Sequence, residues 1–168
     1  NMSVGGSSYS ASMETAVDYA HANNVVVVVC MMNTDNNTAY YPAAYTNSIA
    51  VGATGVDDKR VSPFFWSNTS GSNFGSHIDL VAPGSPIYGL SYNSNTNYNS
   101  YWGGTSQATP LVAGVVGLIK SLDPSLGVEA IRDVLKNTAD DQVGNPSEDI
   151  LGWDQYYGAG RMNAGAAI

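Results

Sequence analysis

Basic residues are scarce: 6 Lys and Arg stand against 14 Asp and Glu in 168 residues, for a net charge of -8. A nucleic acid or an anionic membrane requires a basic face on its partner, so neither is expected here. A single cysteine, Cys30, excludes an internal disulfide. Set in an apolar stretch, it reads as a small buried hydrophobe rather than a reactive thiol or a metal ligand. No apolar run approaches the ~20 residues that cross a bilayer, and no signal peptide is visible, so any export signal belongs ahead of Asn1. Hydrophobic residues nonetheless make up 43% of the chain, enough for a real core. The composition is even from end to end, so residues 1–168 are read as one domain. The wealth of hydroxyl and amide side chains in place of charge points to an extracellular protein.

The apolar positions Met13, Ala16, Val17 and Ala20 recur at helical spacing and predict an amphipathic helix from Ser12 to about Asn23. The β-branched run "VVVVVC" (25–30) is apolar at every position, as a parallel strand covered on both faces requires. "SIAVGA" (48–53) and "IDLVAPG" (78–84) predict two more strands, the second stopped by Pro83 and Gly84. From Thr105 to Leu122 apolar residues surround most of a helical wheel, which predicts a helix buried all round, with Pro110 tolerated in its first turn. A further amphipathic helix is expected over Val128–Leu135, after the start signal "DPS" (123–125). Residues 66–76 and 91–100, rich in Ser, Asn, Gly and Tyr, predict exposed loops.

One hydroxyl stands out in "GGTSQATPLVAG" (103–114), where Ser106 lies between a glycine pair and the start of the long helix. Unpaired backbone N–H groups and the helix dipole favour developing negative charge there, and Gly103 and Gly104 admit a close backbone approach. That is the outline of a nucleophile. A serine at a helix start is more commonly an N-cap, and position alone does not overturn that reading.

The segment "GTSQATPLVAG" resembles the nucleophile motif G-T-S-M-A-[TS]-P-H-V-A-G of the subtilisin-like serine proteases. "NMSVGG" (1–6), "VVVVVCMMN" (25–33), "YPAAYTNSIAVGA" (41–53), "IDLVAPG" (78–84) and "YGAGRMNAGAAI" (157–168) follow in that family's order. The resemblance implies a three-layer α/β/α fold with a mostly parallel sheet, of which this chain carries the C-terminal half. It further implies a secreted serine endopeptidase acting on peptide or protein substrates. Ser106 becomes the nucleophile, and its own N–H and the Asn33 side chain hold the oxyanion. Ser3, Val4, Gly5, Met32, Tyr40, Gly104 and Thr105 line the substrate site. The Tyr41–Pro42 bond is expected to be cis, and catalysis needs no cofactor. The carbonyls of Ala43, Tyr45 and Ser48 with the carboxylate of Asp79 match a weak structural site for Ca²⁺ or an alkali cation.

The family's base is a histidine oriented by an aspartate, both ahead of the serine in sequence. His21 and His77 lack the family's setting and read as surface residues, and Asp35, Asp57 and Asp79 read as loop or strand-edge residues. The chain alone is therefore expected to be nearly inert, its partner being the N-terminal half or a second copy paired across an open sheet edge. Met31 and Met32 stand where the family has two small residues, and Tyr40 where many members keep a small one. Large groups at 32 and 40 fill the primary specificity pocket and favour small side chains before the cut, or block it. Gln107 and Leu111 replace a methionine and a histidine without touching a catalytic step, and Leu111 is expected inside a buried helix. Two alternatives stay open: a catalytically dead relative kept as an interaction module, and a Tyr- and Asn-rich glycan-binding domain.

Overall fold

A computed structural model describes all residues from Asn1 to Ile168. In chain order it contains α1 (Ala11–Ala22), β1 (Val27–Cys30), β2 (Ser48–Thr54), β3 (Leu80–Pro83), β4 (Ile87–Gly89), β5 (Ser100–Trp102), α2 (Thr105–Leu122), α3 (Val128–Asn137) and α4 (Ala164–Ala167). The class is α/β, as the alternation of apolar strands with helical patterns requires. β1, β2 and β3 form one parallel sheet in that order, with Val28 beside Ile49 and Val51 beside Leu80. Every residue of the central strand β2 is buried. This is why its sequence alternates nothing and reads as a continuous apolar run.

The two faces of the sheet carry separate cores. Val28, Ile49, Val51, Leu80 and Ala82 pack against Ala108, Val112, Val115 and Ile119 of α2 and against Ile131 and Leu135 of α3. Val29, Ala50 and Val81 point the other way and meet Met31, Ala43, Ile78 and Tyr157. The period-two alternation of strand side chains assigns each residue to its face. Ser10 caps α1, accepting from the Met13 N–H at 3.4 Å. Of the apolar stripe expected on this helix only Val17 is buried; Met13 remains 40% exposed, because the helix touches the sheet only lightly at β1.

Several expectations are corrected. α2 is not buried all round: Pro110, Leu111, Gly114, Gly117, Leu118 and Leu122 form an uncovered apolar face opposite the sheet. Leu111 is thus an exposed residue at 41%. Nor are the sheet margins bare. Met2 bridges β1, its N–H donating to Val28 O at 2.8 Å, while Val81 of β3 exchanges hydrogen bonds with Gly160 and Met162. The segment 66–76 is a loop, but Ser70, Gly71, Ser72 and Asn73 within it are buried. The second loop is partly a hairpin, β4 pairing with β5 antiparallel. The Tyr41–Pro42 bond is cis, as are Ser62–Pro63 and Ser85–Pro86, which carried no such expectation.

The division of α2 into two faces is measurable. Ile119→Ala is expected to lower the unfolding free energy by about 2–5 kcal/mol, because Ile119 is 3% exposed in the main core. Leu118→Ala, one residue earlier and 49% exposed, should stay within about 0.5 kcal/mol in urea titrations of the same chain. Acid is expected to weaken the fold through Asp140, whose carboxyl is held below its usual range by the Arg161 guanidinium and the Asn163 amide. The folded carboxyl then binds a proton less readily than the unfolded one. Its stabilisation is present above the unfolded value of about 3.9 and is lost as pH falls through the lower folded value. Comparing urea midpoints at neutral and acid pH, Asp140→Asn should narrow the difference.

Candidate active site

Parallel strands end at one edge of their sheet, and the chain uses that edge twice. β1 runs on through Met31 and Met32 to Asn33. β3 stops at Pro83, and Gly84 accepts the Gly104 N–H at 2.9 Å, which brings the turn before α2 to the same edge. Gly104 has φ +157°, and a Cβ there would lie 3.0 Å from Gln107 Oε1 and 3.2 Å from Asn33 Nδ2, so the turn requires glycine.

α2 begins at Thr105 with Gly104 as its N-cap, and no side chain caps it. Ser106 is therefore not the capping residue. It lies in the first helical turn, half-buried, where backbone N–H groups have no partner within the helix. Asn33 faces it across a defined contact: Asn33 Oδ1 accepts the Thr105 N–H at 2.8 Å and the Thr105 hydroxyl at 3.1 Å. With the oxygen so engaged, Nδ2 is the free donor of the amide, and it lies on the Gly104 side of the turn. The turn at Gly104–Ser106 thus carries the unpaired N–H groups and positive end of an 18-residue helix, with the Asn33 amide held against it.

The other residues singled out from sequence gather here. Ser3 Oγ donates to Ser106 O at 2.9 Å, seating the segment 1–6 against the turn. That segment is held at its far end by paired bonds between Gly6 and Tyr41. Val4 is exposed, with its carbonyl 3.9 Å from Cys30 Sγ. Met32 has φ +74°, a left-handed conformation that favours glycine, and its Sδ lies 3.8 Å from Cys30 Sγ and 3.0 Å from where a Cβ on Gly5 would stand. The Met32 side chain thus occupies the space between Gly5 and the end of β1. Tyr40 lies against Thr34, its hydroxyl accepting from Thr34 Oγ1 at 3.2 Å.

Neither histidine approaches Ser106. His21 Nε2 pairs with Glu129 Oε1 of α3 at 2.8 Å. His77 is half-buried rather than a surface residue, and burial pushes its pKa down. It lines a cavity of about 310 Å³ with Tyr45, Ser48, Asp79, Arg132 and Lys136. This cavity is where the cation ligands were expected. Burial pushes the Asp79 carboxyl up against the opposing charge of Arg132, whose Nε lies 3.6 Å from Asp79 Oδ1; the Ala50 N–H donates to Asp79 Oδ2 at 2.8 Å. Arg132 Nη2 donates to Ser48 O at 2.5 Å and to Thr46 O at 3.0 Å, and Tyr45 O accepts the Ser48 N–H at 3.1 Å. Ala43 is buried in the second core. Of this set, Ser48 O and the Asp79 carboxylate thus face the Arg132 guanidinium of the chain itself.

Sequence reasoning missed the residues that hold the site from behind. Trp66 stacks on buried Phe64 at 5.5 Å and its Nε1 donates to Gly103 O at 2.7 Å. Asn73, fully buried, accepts the Thr34 N–H at 2.7 Å beside Asn33. Both sit in the stretch whose polar composition predicts an exposed loop. Only the Pro-Phe-Phe-Trp run at its start, too apolar for such a loop, signals otherwise.

Comparison with known proteins agrees with this arrangement. The model of the subtilase family matches residues 1–160. Alkaline elastase YaB of Bacillus sp. (strain YaB) is 39% identical over 99% of this chain and 39% of its own length. Subtilisin BL of Lederbergia lenta is 40% identical over 99% of this chain and 55% of its own length. Thermitase of Thermoactinomyces vulgaris is 39% identical over the whole chain and 53% of its own length. The chain thus spans roughly two-fifths to just over half of these relatives. With the family model covering nearly all of it and the serine-bearing turn set at the shared strand edge, the chain belongs to the subtilase family of serine endopeptidases.

Proposed function

We propose that this chain carries the nucleophile and oxyanion hole of a secreted serine endopeptidase, with Ser106 forming the acyl-enzyme and Asn33 and the Ser106 N–H holding the oxyanion. The observation that carries the reading is the bond from the Thr105 N–H to Asn33 Oδ1, which fixes the amide with its donor free beside the serine. Peptide or protein is the substrate, the segment 3–5 and Gly104 being the backbone surfaces on which it is laid. Attack by the Ser106 hydroxyl requires a base to take its proton, and neither His21 nor His77 is in reach of it. The base and its orienting carboxylate come from outside these residues, on a partner segment that covers the apolar outer face of α2. The chain alone then retains at most the small residual rate that an oxyanion hole and binding supply. The scarcity of charge and the wealth of hydroxyl and amide groups support action outside the cell.

A serine-directed fluorophosphonate tests this. With a polypeptide supplying the histidine and aspartate present, Ser106 is expected to label, and Ser106→Ala to remain blank. Asn33→Ala should slow turnover by about 10²–10³, a magnitude carried over from the corresponding asparagine of subtilisin. A complemented protein whose Ser106 never labels would instead be a catalytically dead interaction module.

Met32 and Tyr40 set the specificity expectation. The side chain of Met32 fills the space beside Gly5, which favours a small residue before the cut. Met32→Gly opens that space and also relieves the left-handed backbone at this position. Profiling on peptides varied at the residue before the cut should show Ala or Gly preferred by the native protein and Phe or Tyr accepted only by the variant. A native preference for Phe or Tyr would overturn the assignment.

A further inference from the structure

Asn33 is flanked by two residues in left-handed backbone, Met32 at φ +74° and Asp35 at φ +52°. Neither is glycine, so both conformations must be imposed by their surroundings. The nearest constraint is the buried segment 71–73. The Gly71 N–H donates to Asn33 O at 3.1 Å, the Asp35 N–H to Gly71 O at 3.0 Å, and the Asn73 N–H to Met32 O at 3.1 Å. A Cβ on Gly71 would lie 2.7 Å from Asp35 Cγ, so the carboxylate is packed directly on this backbone.

What holds the two segments together is one guanidinium. Arg60 Nη1 donates to Asp35 Oδ1 at 2.6 Å and to Ser72 O at 2.9 Å, so a single nitrogen joins the strand of Asn33 to its clamp. Its other edge is fixed by Glu148 at 2.8 Å, and its Cζ lies over the adjacent rings of Phe74 and Tyr156 at 5.1 and 5.4 Å, the two rings being 4.7 Å from each other. The side chain is only 9% exposed. Asp35 is further tied by the Ser62 hydroxyl at 2.6 Å. Burial pushes the Asp35 carboxyl up, but the hydrogen bonds from Ser62 and Arg60 more than offset this and leave it below its usual range, ionised at neutral pH.

We propose that Arg60 and Asp35 are positioning residues for the oxyanion hole: their ion pair, anchored by Glu148, sets where the Asn33 amide meets the nucleophile turn. The proposal rests on the reading of Asn33 given above and adds the device that aims it. Neither residue touches a substrate, and both act through the backbone of residues 33–35. An oxyanion donor works only if it is already in place when charge develops, so a small displacement here lowers the rate without weakening substrate binding.

Two measurements decide it. Hydrogen exchange on the chain itself reports the contact directly, because the Thr105 N–H is bonded to Asn33 Oδ1. Asp35→Asn, which keeps the shape and removes the charge, is expected to speed exchange at Thr105 about tenfold while leaving Val116, in the middle of α2, unchanged. Arg60→Lys, keeping the charge without the fork, should act in the same direction. Equal acceleration at both amides would mean that the pair only stabilises the fold, and no change at Thr105 would mean that it does not hold Asn33; either overturns the proposal. In the complemented enzyme, Asp35→Asn should lower kcat about tenfold with KM unchanged, and should cost nothing further once Asn33 is alanine. Equal losses with and without Asn33 would also overturn it. Failure of Ser106 to label at all would remove the catalytic reading, and the exchange measurement would still decide the positioning.

Discussion

The parallel alignment of three buried strands is the constraint on which everything else rests. Because β1, β2 and β3 point the same way, whatever follows β1 and β3 emerges at one edge. Asn33 follows β1 directly, and Gly84, just past β3, holds the turn at Gly104. Residues 72 positions apart in sequence are thereby joined through a 2.8 Å bond from the Thr105 N–H to Asn33. Were β1 and β3 to run in opposite senses, these ends would lie at opposite edges. The site therefore depends on the core: Val28, Ile49 and Leu80 fix the register against α2, and α2 in turn presents its N-terminus at the strand ends.

Around this frame the three arginines make buried or partly buried contacts. Arg60 joins the clamp on Asn33, and Arg132 occupies the cavity beside Asp79. Arg161 pairs with Asp58 and Asp140 at the edge where residues 160–162 run along β3. Exposed ion pairs contribute little, whereas cations that bridge backbone carbonyls of distant segments fix geometry. In a protein of this acidity, scarcity of Lys and Arg at the surface coexists with arginines that organise loops.

Part of the exposed apolar surface is gathered on one helix. Leu111, Leu118 and Leu122 share the outer face of α2, and the chain spans only part of the length of its relatives. A helix packed on the sheet on one side and apolar on the other leaves that second side uncovered within this chain. At the strand edge, Ser106 and Asn33 stand at one turn while His21 pairs with Glu129 and His77 lines the cavity beside Asp79.

The sequence by itself determined the α/β class, the positions of three strands and three helices, and the gathering of Ser106, Asn33, Ser3 and Gly5. These rest on local periodicity, on glycine and proline signals, and on a motif order that covers most of the chain. It also marked Met32 as a departure from the family pattern, since a large residue in the place of a small one is visible as a letter. Only the tertiary structure decided that α2 has an open face, because a helical wheel shows which residues are apolar but not which neighbours are present. It alone revealed that Arg132 lies against Ser48 O and Asp79, and that a polar stretch around Asn73 is buried beside Asn33. Such contacts join residues tens of positions apart, and hydrogen bonds of that range leave no period in the sequence to be read.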